Sequence, residues 1–272
     1  MYLAVDIGGT KVLLASFDEN GEVRSEKRFA TPGTYGEFIE KFKAVLPSLG
    51  QKTYKMAGVA IPGAVDRQNG VGIQFGNLSW QNVPIKKDLE SIVEAPVSLE
   101  NDAKAAGLYE ALNVINEFKK VLYITIGTGI GIAVIINGVI DTTINDLGGN
   151  IYMVDYDGGK RSWESFASGS AIKKRFGKKA SEITDTAAWQ EIADNFAVGI
   201  AQLIGENQPE AVILGGGAAK HFERYGELLR NSVRANLADN ANLPAILPAK
   251  RPEEAVIYGC YELAKYKYEL AN

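Results

Sequence analysis

A chain of 272 residues, 46% hydrophobic and 23% charged, can bury a sizeable core and has room for one large or two modest domains. Its formal net charge of −4 gives no long-range attraction to nucleic acid or to an anionic membrane surface, so small molecules and copies of itself are the expected partners. One cysteine, Cys260, excludes an intrachain disulfide, and one histidine, His221, far from it in the chain, leaves too few ligands for a structural zinc site.

The opening run MYLAVDIGGTK has neither the basic region nor the apolar stretch of a secretion signal, and no later segment is apolar for long enough to span a bilayer. The expectation is a soluble, cytoplasmic protein. YLAVDI, VLLASF and EVRSEKRF read as strands, joined by turns at Gly8-Gly9-Thr10-Lys11 and Asp18-Glu19-Asn20-Gly21, which makes an antiparallel meander. Residues 34–49 have apolar positions at helical spacing (Phe38, Phe42, Val45, Leu46), and MAGVAIPG follows as a buried strand ending in Pro62-Gly63. Residues 85–94 read as a helix, and PVSLEND as a strand that delivers Asn101 and Asp102 to its C-terminal end before the helix AKAAGLYEAL.

The opening theme then returns. VLYITI, a turn at Gly127-Thr128-Gly129, IGIAVII, a type I′ turn at Asn137-Gly138 and VIDTTI repeat the meander. A glycine-rich polar stretch (146–162), a helical region from Glu164, a long helix over about 185–205 and a short strand AVIL leading into Gly215-Gly216-Gly217 come next. A further helix and strand precede a C-terminal helix near 253–270. The repeat places a domain boundary near residue 115, giving α/β lobes over 1–115 and 116–254, with a helix over 255–272 packed on the first.

A glycine-rich turn suits phosphate because its backbone N–H groups can converge on an anion where no Cβ blocks the approach. Gly8-Gly9-Thr10 and Gly127-Thr128-Gly129 both qualify and each adds a threonine hydroxyl, although a ligand-free hairpin explains either one alone. The Walker A loop and the dinucleotide fingerprint are set aside, because both need a helix directly after the glycines and here a β-rich run follows each turn. Asp102 has two readings: a general base at a strand end, or the N-cap of the next helix. Cys260 reads as a buried core thiol, His221 as a surface residue, and Asp155, Asp157, Lys160 and Arg161 as a solvated loop.

Asp6-Ile7-Gly8-Gly9-Thr10-Lys11, Asn101-Asp102-Ala103, Gly127-Thr128-Gly129-Ile130-Gly131 and Gly215-Gly216-Gly217 together resemble, in order and rough spacing, the ROK family (repressor, open reading frame, kinase). That family belongs to the actin-like ATPase superfamily, so the resemblance implies two lobes built from a duplicated ribonuclease H-like unit around a central cleft. It implies that Gly8, Gly9 and Thr10, followed by Lys11, form the first phosphate loop, with Asp6 near the metal of MgATP. Gly127, Thr128 and Gly129 would form the second loop, and Gly215, Gly216 and Gly217 would lie against the adenosine. GVAIPG and Gly76-Asn77-Leu78-Ser79-Trp80 look like the family's substrate motifs, which makes Gly63 and Asn77 sugar contacts. Asn101 and Asp102 look like its sugar-binding Asn and catalytic base, in keeping with a reaction that needs one group to take the proton of the attacking hydroxyl.

The pattern breaks where the family carries Glu-x-Gly-His and then a cysteine-rich zinc loop. This chain has Asp146-Leu147-Gly148-Gly149 and no zinc loop, so the acid is shortened to Asp146 and a glycine stands for the histidine. Further on, Trp163-Glu164-Ser165-Phe166-Ala167-Ser168-Gly169 resembles a family segment in which the glutamate holds sugar, and an exposed helix-start residue is the equal alternative for Glu164. The implied activity is an ATP-dependent hexokinase, with glucose the first candidate and fructose or an N-acylated hexosamine next. Inorganic polyphosphate as donor, a sugar-responsive regulator and a non-catalytic sugar-binding protein are the other readings the family offers, and a homodimer is a family expectation.

Overall fold

Residues 1–271 are described by a computed structural model, and they divide into one unit of Met1–Tyr109 with the segment from Glu254 onward, and a second of Glu110–Glu253. In the first unit, strand β1 (Tyr2–Ile7) sends Leu3, Val5 and Ile7 into one apolar core and Tyr2 and Ala4 into another. Successive side chains of a strand point to opposite faces, so a strand covered on both sides must be apolar throughout.

Strands β2 (Lys11–Phe17) and β3 (Val23–Ala30) continue antiparallel from β1. Helix α1 (Tyr35–Val45) opens on a capping box, in which the Thr34 hydroxyl accepts the Glu37 N–H and the Glu37 carboxylate accepts the Thr34 N–H. Such a cap contributes about 1 kcal/mol. Strand β4 (Met56–Ile61) pairs parallel with β1. Three short strands, β5 (Val65–Asp66), β6 (Val71–Phe75) and β7 (Leu78–Val83), form a separate antiparallel sheet. Helix α2 (Ile85–Val93) leads to β8 (Val97–Asn101), parallel to β4, and α3 (Asp102–Asn113) starts at the next residue. The main sheet runs β3-β2-β1-β4-β8.

The second unit repeats this plan. β9 (Lys120–Ile126) pairs antiparallel with β10 (Ile130–Ile136), which pairs with a two-residue β11 (Val139–Ile140). A hairpin of β12 (Met153–Tyr156) and β13 (Gly159–Ser162) follows, then helices α4 (Glu164–Ala167), α5 (Gly169–Phe176) and α6 (Thr186–Asn207). Next come β14 (Ala211–Gly215), α7 (Gly216–Ala219), α8 (Phe222–Asn236) and β15 (Ala245–Pro248). The sheet order β11-β10-β9-β14-β15 has the same mix of antiparallel and parallel neighbours as the first. Trp163, fully buried in the core of this unit, donates its Nε1–H to the Asn195 carbonyl at 3.1 Å. Helix α9 (Ala255–Ala271) closes the first unit, with Ile257, Cys260, Tyr261 and Ala264 in the core that also holds Tyr2 and Ala4.

Three local expectations change. VIDTTI pairs only over Val139–Ile140, because the Asp141 carboxylate accepts the Thr143 N–H and hydroxyl at 2.9 and 2.7 Å and turns the chain away from the sheet. Asp155, Asp157, Lys160 and Arg161 are solvent-exposed, but they belong to the β12–β13 hairpin and not to a loop, and there Tyr156 stacks on Phe166 at 3.7 Å and Arg161 lies over Tyr156. His221 is half-buried, its ring 5.9 Å from that of Trp189, and desolvation lowers its pKa. Among the described residues no helix is long and apolar enough to cross a membrane.

Candidate functional site

Parallel pairing of β1, β4 and β8 brings three C-terminal strand ends to one edge of the first unit, in register from Asp6 to Ala60 and from Ala60 to Glu100. That edge is the usual place for chemistry in a parallel sheet. Asp6, the Gly8-Gly9-Thr10 turn, Gly63, Asn101 and Asp102 all belong to it.

Asn101, and not Asp102, caps α3. Its Oδ1 accepts the Lys104 N–H at 3.1 Å, while its Nδ2 donates to the Gly63 carbonyl at 3.0 Å. Asp102 is the first helical residue, half-buried, with Oδ1 accepting the Ala103 N–H at 2.8 Å. The cap reading therefore falls to its neighbour, and the half-buried Asp102 follows directly after the strand end.

The first glycine turn is held from two sides. Gly8 N–H donates to Lys11 O at 2.9 Å, and Thr31 donates its hydroxyl to Gly8 O at 2.6 Å and its N–H to Thr10 O at 3.1 Å. Gly9, Thr10 and Lys11 are exposed. Asp6, at the start of the turn, has its carboxyl pushed up to about 7, chiefly by desolvation and then by the Asp102 charge, with Lys11 pulling the other way. Two carboxylates thus feel one another beside a glycine turn.

Gly63 adopts φ +110, and a Cβ there would lie 2.4 Å from Gln74 O and 3.1 Å from Gly76 N. Only glycine fits, and the close approach sets Gly63 against the β6–β7 turn that carries exposed Asn77.

In the second unit, Gly127 N–H donates to Gly129 O at 2.9 Å, and Gly127 O accepts the Gly169 N–H at 2.8 Å. Ile130 N–H donates to Glu164 Oε2 at 2.7 Å, and a Cβ on Gly129 would meet that same oxygen at 2.5 Å. Thr128 at the tip is exposed. Parallel pairing of β14 with β9 sets Gly215 beside Thr125, and Gly216, at φ +72, donates its N–H to Pro252 O at 3.2 Å. Gly217 follows in α7, so the triple glycine and the second turn adjoin.

Half-buried Asp146 lies in the segment between β11 and β12. At Gly149 a Cβ would approach Ile130 Cβ to 2.7 Å, so the backbone here leaves no space for the histidine the family pattern expects. Thr31 and the attachment of Glu164 to Ile130 carried no local sequence signal, because each acts on a residue more than twenty positions away.

A family model described as "ROK family" matches residues 2–267. The N-acetyl-D-glucosamine kinase of Haemophilus influenzae (strain 86-028NP) is 26% identical over 97% of this chain and 99% of its own length. The glucokinase of Streptomyces coelicolor is 25% identical over 97% of each. Among solved structures, the ROK family glucokinase from Streptomyces griseus in complex with glucose and AMPPNP superposes with a TM-score of 0.80 at 25% identity, covering 97% of this chain and 99% of that one.

Proposed function

This chain belongs to the ROK family, has the actin-like ATPase fold and is a carbohydrate kinase, and we propose that it transfers the terminal phosphate of ATP to a hexose hydroxyl with Asp102 as general base, glucose being the first candidate. The observation that supports this reading is the parallel register of β1, β4 and β8, in which Asp6, at the start of the first glycine turn, and Asn101, just before Asp102, stand at the same C-terminal edge of one sheet.

Gly63, Asn77, Asn101 and Asp146 serve as sugar contacts, and Asp102 accepts the proton of the attacking hydroxyl. As the sugar oxygen bonds to phosphorus, the bond from phosphorus to the ADP oxygen breaks and the proton rests on the Asp102 carboxylate. The exposed backbone of Gly9 and Thr10 with the Lys11 ammonium, and the turn Gly127-Thr128-Gly129, hold phosphate oxygens, while Gly215 to Gly217 lie against the adenosine. Asp6 fits a divalent cation, since a desolvated carboxyl raised by a second acid is relieved by a neighbouring positive charge. Among the described residues no group of three or more His, Cys, Asp or Glu is placed to hold a metal ion. Bound with ATP, Mg2+ would neutralise charge on the transferred phosphate.

The test is ADP release from MgATP across a panel of hexoses and N-acylhexosamines, repeated with inorganic polyphosphate as donor and with Asp102→Ala. Turnover of at least one sugar, lost in the variant, is expected. No turnover with any sugar and either donor would sink the reading, and an undiminished variant would remove Asp102 as the base.

A further inference from the structure

The small sheet that carries Gly63 and Asn77 is tied to the end of β8 by two adjoining contacts. Gly63 and Arg67 stand on either side of β5, and Glu100 and Asn101 are consecutive residues at the end of β8. Asn101 Nδ2 donates to Gly63 O at 3.0 Å. Arg67 Nε donates to Glu100 Oε1 and Oε2 at 3.1 and 2.9 Å, and its Nη2 also meets Oε1. Glu100 Oε1 in turn accepts the Asn101 N–H at 2.7 Å, so the carboxylate that Arg67 grips also holds the backbone of the residue preceding Asp102.

Glu100 is 4% exposed, and the cost of burying a carboxylate is offset only by a partner held in good geometry. Stability alone could be met by an apolar pair of similar volume. A planar guanidinium held by both Glu100 oxygens fixes direction as well as charge, which a lysine ammonium does not. We propose that Arg67 is a positioning residue for the hexose site: acting through Glu100, it sets the placement of Asn101 and Asp102 against the Gly63 turn, without itself touching the sugar. The proposal rests on the kinase reading only in taking a hexose as the ligand.

The test measures hexose binding by calorimetry without nucleotide, and KM for hexose and for ATP, in the wild type, in Arg67→Lys and in the double variant Arg67→Met with Glu100→Gln, which removes both charges. Hexose affinity is expected to fall and hexose KM to rise about tenfold in both variants, since small displacements of positioned groups weaken a site strongly. KM for ATP should stay within about twofold, a split that a general loss of structure would not give. A folded variant with unchanged hexose affinity, an equal rise in both KM values, or loss of cooperative unfolding in both variants overturns the proposal. Wild type that binds hexose without releasing ADP defeats the kinase reading and leaves the Arg67 comparison decided by binding. Wild type that binds no hexose in the panel defeats both.

Discussion

Glu164 Oε2 accepts the backbone N–H of Ile130 at 2.7 Å, directly behind the turn Gly127-Thr128-Gly129. The carboxylate of a helix-start residue is therefore fastened to a strand 34 positions away, and with the Gly169 N–H on Gly127 O it fixes the turn from behind. Glu164→Ala leaves the Ile130 N–H without this acceptor, and the expected result is a rise of about tenfold in KM for ATP. Glu164→Gln keeps a carbonyl acceptor and should stay within about threefold. Steady-state kinetics with each substrate varied in turn reads the difference. A rise in sugar KM in both variants would return Glu164 to the sugar instead.

Asp6 gives a pH-dependent stability with a definite sign. Its folded pKa of about 7 lies above its ordinary value of 3.8, so between those limits the folded state binds more protons than the unfolded one. Its contribution is fully present below pH ~4 and is lost as pH rises towards about 7. Asp6→Asn removes that loss. Denaturant unfolding without nucleotide or metal should find the variant level with wild type near pH ~4 and more stable by an amount on the order of 2–4 kcal/mol above pH ~7. A difference independent of pH would rule out the shift.

Asp102→Asn makes the same coupling visible from its other end. Without the Asp102 charge, the second cause of the Asp6 shift disappears, and the pH range over which stability is lost should move down. Turnover should fall about 10²–10⁴-fold, the range for removing a general base, with KM for ATP less affected. Parallel stability and rate profiles in this variant separate the electrostatic role from the chemical one, and an unmoved stability profile would show that the carboxylates do not interact.

The duplication was legible because alternating apolar runs broken by glycine turns mark strands locally, and β1–β2 and β9–β10 form where those runs lie. The end of the second meander misled, since a β-rich composition cannot show that Asp141 bonds Thr143 and leaves the sheet. The small sheet β5–β7 and the β12–β13 hairpin were hidden because β5 is two residues long and β13 is the polar run GKRS. Asn101 and Asp102 were both found at the strand end, yet which one caps α3 depends on side-chain direction, and the cap belongs to Asn101. The contacts within each unit pair Thr31 with Gly8, Arg67 with Glu100 and Glu164 with Ile130, and no local period encodes such distant partners.

Cys260 offers a probe of the first unit's core. Its side chain is fully buried, Sγ donates to Val5 O at 3.4 Å, and burial holds the thiol well above its ordinary pKa, so the nucleophilic thiolate is suppressed as well as shielded. A small thiol reagent at pH ~8 should therefore label it only at the rate at which this core opens, and labelling should accelerate with denaturant in step with unfolding. Fast labelling in the absence of denaturant would contradict the packing of α9.

Gly149 supplies the test of why the family histidine is missing here. With Ile130 Cβ 2.7 Å from the position a Cβ would take, even Gly149→Ala forces a buried strand and a buried turn apart. Overpacking of this kind costs about 1–3 kcal/mol, and the larger Gly149→His should cost more while failing to tighten the sugar KM, because its ring has no room beside Ile130. Thermal unfolding of both variants, with hexose kinetics on whichever remains folded, checks the two halves of the argument. A Gly149→His variant of wild-type stability that binds hexose more tightly would mean that the backbone can yield, and that glycine was kept here for the sugar it admits.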